Sequence, residues 1–280
     1  MLQVANTVYL SEVPSVTLPP YHTTNAYWIL DLGRAVLVDP GDGQEASIDI
    51  LERDWESLGR PVVEAVYCTH YHLDHSGGAR KAGDAFQAPI YLSRDDQACL
   101  RDHGGDPTGF QTLSPGRISV GGMDVEILAA PGHTPGQMNL WLPDDRGLLA
   151  GDNVLGNTTV VIVPPDGHLG QYLHSLKHLE SLELAWIGPG HGGIVRHPGA
   201  YLAQYIAHRE ERNQQILALL SSDWHTPRAI AEDVYRGKLS DAEMSMGEWM
   251  VRGHLAWFLE QGWIEEREGQ YRKVGAHDFS

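Results

Sequence analysis

Short apolar runs punctuate the first two-thirds of this chain, and most of them stop at a turn of Gly, Pro or Asp. Gln3–Leu10, Tyr27–Leu32 and Ala35–Val38 read as early strands, the last ending in Asp39-Pro40-Gly41. Val62–Cys68 and Pro89–Leu92 follow, and then a ribbon over 117–129 turned at Gly121-Gly122. Met138–Leu142 pairs with Leu148–Ala150, and Val160–Val163 and Leu184–Ile187 complete the strands. Helical spacing lies between them: Ile48, Leu51, Trp55 and Leu58 within 44–58, then 76–83 and 95–100, and the stripe Tyr172, Leu173, Leu176, Leu179. Residues 101–114 have no period and read as a loop. Strands followed by helices, twice over, predict an α/β chain folded as a four-layer αββα sandwich.

The texture changes after His197-Pro198-Gly199, which predicts a first domain over 1–198 and a second over 199–280. Helices are expected over 201–220, 226–235 and 241–261, with a hairpin over 263–274. Three helices and a hairpin resemble a winged helix. From Ser240 to Gln261, however, where a recognition helix would lie, there is one Arg against four acids, which argues against DNA binding. The Met- and Trp-rich face of this segment reads first as core, then as a contact between copies of the chain or a wall of an active site.

Charge narrows the function. The 280 residues carry a formal net charge of −17, most of it within 1–198. A polynucleotide-binding protein ordinarily shows a basic stripe, because neutralising phosphates supplies most of its non-specific affinity. None is visible here. No apolar run is long enough to span a bilayer, and the first residues lack a secretory pattern. Cys68 and Cys99, the only cysteines, read as small buried hydrophobes, and so few point to a reducing cytoplasm.

The candidate chemistry lies at the strand ends. His70-Tyr71-His72-Leu73-Asp74-His75 packs three imidazoles and a carboxylate directly after a buried strand, a ligand mixture suited to zinc. His133 sits in Pro131-Gly132-His133-Thr134-Pro135-Gly136, Asp152 in Gly151-Asp152-Asn153, and His191 in Gly188-Pro189-Gly190-His191-Gly192. One such Gly-Asp would be an ordinary polar turn. Four turns, all bearing metal-ligand chemistry at carboxyl ends of strands, point to a site. Asp39 either hydrogen-bonds the ligands from behind or merely caps its strand. His168, His174 and His178 suit surface or core roles better than ligation.

His-x-His-x-Asp-His followed by Gly-His-Thr-Pro-Gly, Gly-Asp and Pro-Gly-His-Gly resembles the metallo-β-lactamase superfamily over residues about 4 to 195. The resemblance implies that His70, His72 and His133 hold one divalent ion, that Asp74, His75 and His191 hold a second, and that Asp152 bridges them. Zinc is expected, with iron or manganese suited to the same ligands. The true β-lactamases usually differ at some of these positions, often with Cys or no carboxylate where Asp152 stands, which argues against antibiotic hydrolysis.

A narrower likeness, in Thr23–Tyr27, Gly156–Val160 and especially Tyr205–Ile216, is to the β-lactamase-like protein 2 group. That group carries a winged-helix-like domain after the hydrolase domain, and its characterised animal members are single-strand endoribonucleases. The expected chemistry is attack by a metal-bridged hydroxide, with Asp74 as catalytic residue passing a proton to the leaving group. The acidity favours a small-molecule ester or thioester. RNA is the alternative substrate, and a non-catalytic or DNA-regulatory protein a distant third. Asn25, Tyr71, Thr158, Thr159 and Tyr172 are candidates for substrate contact. Among partners, a membrane is not expected, and a homo-oligomer is compatible with the sequence.

Overall fold

A computed structural model describes residues 1–241 and 243–274; the end of the expected second domain, 275–280, lies outside them. The chain opens with β1 (Leu2–Gln3), β2 (Val8–Pro14), β3 (Thr23–Asp31) and β4 (Arg34–Val38), an antiparallel meander. Helix α1 (Glu45–Ser57) leads to β5 (Val62–Tyr67). The short α2 (Leu73–Ser76) and then α3 (Ala79–Phe86) lead to β6 (Ile90–Ser93), and α4 (Arg94–Asp102) leads to β7 (Phe110–Leu113). Strands β5, β6 and β7 join β4 in parallel, giving a seven-stranded sheet in chain order.

The second sheet is built from β8 (Gly116–Val120), β9 (Met123–Ala129), β10 (Met138–Leu142) and β11 (Gly147–Gly151). Helix α5 (Leu169–Glu180) then crosses to β12 (Trp186–Pro189), which lies parallel to β11. The chain continues through α6 (Pro198–Leu219), α7 (Pro227–Val234), α8 (Met244–Glu260) and the hairpin β13 (Ile264–Arg267) with β14 (Gln270–Lys273).

Alternation of side chains along the strands creates the layers. On β3, Tyr27 and Ile29 enter the core between the sheets, where they meet Val125, Ile127 and Leu140. Ala26 and Trp28 point the other way, onto Leu51 of α1 and Phe86 of α3. On β11, Leu149 faces the first core while Leu148 and Ala150 face α5 and the start of α6. Each sheet is covered on both faces, which is why these strands read as continuous apolar runs. The result is the expected sandwich, helices outside two facing sheets.

Three expectations change. Val160–Val163 is not a strand but an irregular segment whose backbone groups are served by side chains. Tyr205 Oη donates to Thr158 O and accepts from Val160 N, Arg209 donates to Val160 O, and His133 Nδ1 lies 3.1 Å from Val161 O. The supposed loop over 101–114 contains β7, a parallel edge strand with little buried surface and hence no apolar pattern. The helix expected over 76–83 is divided at Gly77-Gly78 into α2 and α3.

Helix α6 begins at Pro198, a residue suited to a first turn. Its first half packs against α5 through Leu202, Tyr205 and Ile206, while Ile216 and Leu217 enter a separate cluster with α7, α8 and β13. One helix thus serves both bodies.

Candidate metal centre

Because β4 and β5 run parallel, their carboxyl ends emerge on one edge of the first sheet, and the loops after β9, β11 and β12 come to the same place. The loops are tied to one another through backbone and amide groups. Met138 N donates to Thr69 O (2.8 Å), Gly190 N to Gly151 O (2.7 Å) and Asn25 N to Gly190 O (2.8 Å). Asn25 Nδ2 donates to Pro189 O and Gly192 O, at 2.9 and 2.8 Å. Glycine is required where the loops touch the site. A Cβ on Gly190 would lie 2.5 Å from Asp152 Oδ1 and 2.6 Å from His75 Cε1.

Seven side chains converge. His72 Nδ1 is 3.0 Å from both His70 Nε2 and His133 Nε2. His191 Nε2 is 3.1 Å from His75 Nε2 and 3.2 Å from Asp74 Oδ2. Two donors held about 2.1 Å from one tetrahedral ion lie about 3.4 Å apart, so each triad has the spacing of a metal's first ligands. Asp152 stands between the triads. Its Oδ1 is 3.3 Å from His75 Nε2 and its Oδ2 is 3.8 Å from His133 Nε2. Oδ1 is buried and has no hydrogen-bond partner among the described residues. Imidazole lone pairs facing one another around an orphaned carboxylate oxygen are what a cation satisfies.

The rings are fixed from behind. His75 Nδ1 donates to Asp39 Oδ2 (2.9 Å), His191 Nδ1 to Thr23 O (2.7 Å) and His133 Nδ1 to Val161 O (3.1 Å). His70 Nδ1 donates to Thr69 Oγ1 (3.0 Å), whose hydroxyl in turn donates to Asp39 Oδ2 (2.8 Å). Each of these bonds keeps the proton on Nδ1 and leaves the Nε2 lone pair for a metal. Asp39, for which two roles were open above, therefore orients one ligand of each triad.

The metallo-β-lactamase superfamily model matches residues 20–191, the whole stretch that carries these ligands. The chain belongs to the metallo-β-lactamase superfamily. It is 30% identical over 203 residues to the "Beta-lactamase-like protein 2 homolog" of Caenorhabditis elegans, covering 70% of this chain and 65% of that protein. The chain thus spans less than two-thirds of the length of this curated relative. A metallo-beta-lactamase family protein of Thermus thermophilus superposes with a TM-score of 0.81 at 22% identity, over 97% of this chain and 100% of the other. That fold likeness includes the C-terminal helices. A protein solved in a di-iron-bound form has a TM-score of 0.55 at 27% identity, over 69% of this chain and 98% of that one.

Charge in this metallo-β-lactamase centre is divided between its halves. Burial and the surrounding imidazoles hold His70 well below the usual histidine range and His72 at about 3. His133 is also lowered, chiefly by burial. These three stay neutral, the form a metal needs. For His75 and His191 burial acts downward, but Asp152 and Asp74, joined at His75 by Asp39, outweigh it and raise both. Burial acts upward on Asp74 and Asp152, yet the neighbouring histidines hold both carboxyls ionised. The second triad therefore attracts positive charge, which a metal cation would supply in place of protons.

His72, Asp74, His133, Asp152 and His191 face a cavity of about 790 Å³, with His70 and His75 buried behind them. Of the five expected substrate contacts, Thr158 and Thr159 line it. The other three do not. Asn25 is buried and spends its amide on the 189–192 loop. Tyr71 is buried with its hydroxyl on Asp166 Oδ2 (2.6 Å). Tyr172 is buried, its hydroxyl donating to Asn153 O (2.9 Å). These three shape the centre's walls from behind.

Sequence reasoning missed Asp96 entirely. On the first turn of α4, it accepts from Tyr71 N (2.8 Å), Thr134 Oγ1 (2.9 Å) and Gly136 N (2.7 Å), binding the His70–His75 loop to the His133 loop. The roof was read only in part: the Met-rich face of α8 stood open as a wall of the site, while the arginines of α6 were missed. Arg209 and Arg212 of α6, Tyr235, and Met246, Met250 and His254 of α8 all line the cavity. No described helix is long and apolar enough to cross a membrane.

Proposed function

We propose that this protein is a binuclear metal-dependent hydrolase that cleaves an ester or thioester of a small molecule. The observation that carries the reading is the pair of ligand triads, joined by Asp152, at the floor of a single cavity with a largely apolar rim. His70, His72 and His133 would hold one ion, Asp74, His75 and His191 the other, and Asp152 would serve both. Bound there, the ions supply Lewis acidity and lower the pKa of water from ~15.7 towards ~7. Zinc suits the nitrogen and oxygen donors, and the same set suits iron or manganese.

The residues do the rest. Asp74 opens on the cavity and is held ionised beside His191, so its carboxylate can accept the proton of the attacking water and return it to a leaving alkoxide or thiolate. Val16, Leu18, Leu73 and Met246 are exposed at the rim and suit an apolar acyl or aryl group. Single-stranded RNA is the second reading. The arginines in the cavity wall and the likeness to a β-lactamase-like protein 2 homolog favour it, while the net charge of −17 opposes it.

One preparation tests both. Metal content is measured by elemental analysis, alongside turnover of aryl esters, acyl thioesters and a labelled RNA oligonucleotide, for wild type and Asp74→Asn. Two ions per chain and acyl turnover lost in Asp74→Asn are expected. RNA cleavage alone, lost in the same variant, would replace this reading with the second. A metal-free protein purified under metal-replete conditions would sink both.

A further inference from the structure

The wall of the cavity holds two guanidinium groups that no described carboxylate pairs with directly. Arg209 and Arg212 stand three residues apart on α6, on the same side of the helix. Arg209 is only 6% exposed. It donates to Val160 O and lies 5.4 Å over the Tyr172 ring, but its Nε is buried without a partner among the described residues. Arg212 lies 4.7 Å over the Tyr235 ring, and its Nη1 is likewise buried and unpartnered among the described residues.

Neither guanidinium forms an ion pair with a described carboxylate, in a chain with 37 acidic residues against 20 basic ones. The neighbouring imidazoles do not help. Burial and the two arginines drive His208 and His254 towards the neutral form, and His254 Nδ1 is engaged with Asn213 Oδ1 at 2.6 Å. Guanidinium is always charged, and a buried charge without a counter-charge is costly. Tolerating one buried and one half-buried guanidinium beside one cavity suggests that the counter-charge arrives with a ligand. The apolar Leu239, Met246 and Met250 line the same space.

We propose that Arg209 and Arg212 bind an anionic group, a carboxylate or a phosphate monoester, on a small substrate whose apolar part lies against Leu239, Met246 and Met250. The substrate of this centre is then an ester or thioester that also bears an acid away from the bond that is cleaved. Only the word substrate rests on the hydrolase reading; the anion site stands independently of it.

The test is binding to the metal-loaded protein by isothermal titration calorimetry. The probes are 4-phenylbutyrate, phenyl phosphate and the uncharged 4-phenylbutanamide. The variants are Arg212→Met and Arg212→Lys, because Arg209 also holds the Val160 carbonyl. Wild type is expected to bind one of the acids at least tenfold more tightly than the amide. Arg212→Met loses most of that preference at unchanged metal content, and Arg212→Lys keeps part of it. The better acid identifies the anion.

Equal binding of acids and amide by wild type would overturn the proposal whether or not any variant folds. An acid preference unchanged in Arg212→Met would also overturn it, since the acid then sits on the metals. Binding of single-stranded RNA that depends on Arg212, with no binding of either acid, would overturn the small-molecule assignment. Arg212-dependent acid binding without ester or thioester turnover would leave the anion site standing and remove the hydrolase reading.

Discussion

Replacing Asp39 by Asn should weaken metal binding without disturbing the fold. Asp39 adopts a left-handed backbone conformation (φ 54°), which Asn tolerates as well as Asp does, so the substitution adds no backbone strain. Its carboxylate accepts three hydrogen bonds: Thr69 N on Oδ1 (2.7 Å), and Thr69 Oγ1 (2.8 Å) and His75 Nδ1 (2.9 Å) on Oδ2. In the Asp39→Asn variant the side-chain carbonyl oxygen can keep Thr69 N, and the NH2 group then faces His75 and the Thr69 hydroxyl. A donor meeting Nδ1 favours the tautomer with its proton on Nε2, the atom 3.1 Å from His191 Nε2. The ligand of one triad is then blocked, and His70 of the other loses the hydroxyl chain that fixes its ring.

Removing such an orienting partner typically costs 10–100-fold in metal affinity, or about 1.4–2.7 kcal/mol at about 1.36 kcal/mol per decade. Competition with a chelator of known affinity measures this directly, with circular dichroism and the metal-free melting temperature as controls for folding. Metal affinity within twofold of wild type would refute the argument that Asp39 sets the His75 tautomer.

Three further outcomes follow from the same geometry. Asp74→Asn should retain most of the metal, because five histidines and Asp152 remain, yet lose at least about 100-fold in turnover if Asp74 carries the proton; unchanged turnover would remove that role. Gly190→Ala should lower metal content, since its Cβ would lie 2.5 Å from Asp152 Oδ1; full occupancy by elemental analysis would show that the 189–192 loop yields. Burial pushes the Asp96 carboxyl up to about 6, against the three hydrogen bonds it accepts. With an unfolded value near 3.8, the folded state binds the extra proton between about pH 4 and 6, so this group's stabilisation is present at pH 4 and lost as pH rises through 6. The stability of wild type relative to Asp96→Asn should therefore rise by up to about 2.4 kcal/mol between pH 7 and pH 4; a difference that stays flat in denaturant titrations would contradict it.

What was legible in the sequence was local. Each of the seven ligands lies within two residues of a glycine or a second ligand, close after an apolar run, so period, turn and chemistry coincide within a few residues. Asp39 was half legible, because a carboxylate after a buried strand serves equally as a cap. Asp96 was not, for an instructive reason: Asp95 and Asp96 follow Ser93, whose side chain accepts from Asp96 N, and acids on the first turn of a helix already have a complete local explanation. Its bonds to Tyr71, Thr134 and Gly136 span 25, 38 and 40 residues. Tyr172 was placed correctly on a helical stripe, but the stripe faces the core, and the hydroxyl is used 19 residues away on Asn153 O.

The same separation explains the error at Val160–Val163. Three of its four residues are valine and the fourth is isoleucine, so strand propensity is at its highest there, but propensity only records fitness for a pleated surface. The position of this segment is decided by Tyr205 and Arg209, 45 and 49 residues onward, which take its backbone groups in place of a neighbouring strand. One helix thereby fixes the segment that supports His133 from behind and presents Arg209 and Arg212 to the cavity. That joins the two unexplained features of the sequence, the Tyr205–Ile216 stretch and the failed strand, in a single device. Truncating the chain before α6 should therefore do more than remove a roof. It would release Val161 from His133 and lower metal content as well as substrate affinity. A truncated protein that folded and kept the wild-type metal content and affinity would show that α6 and the metal centre are independent.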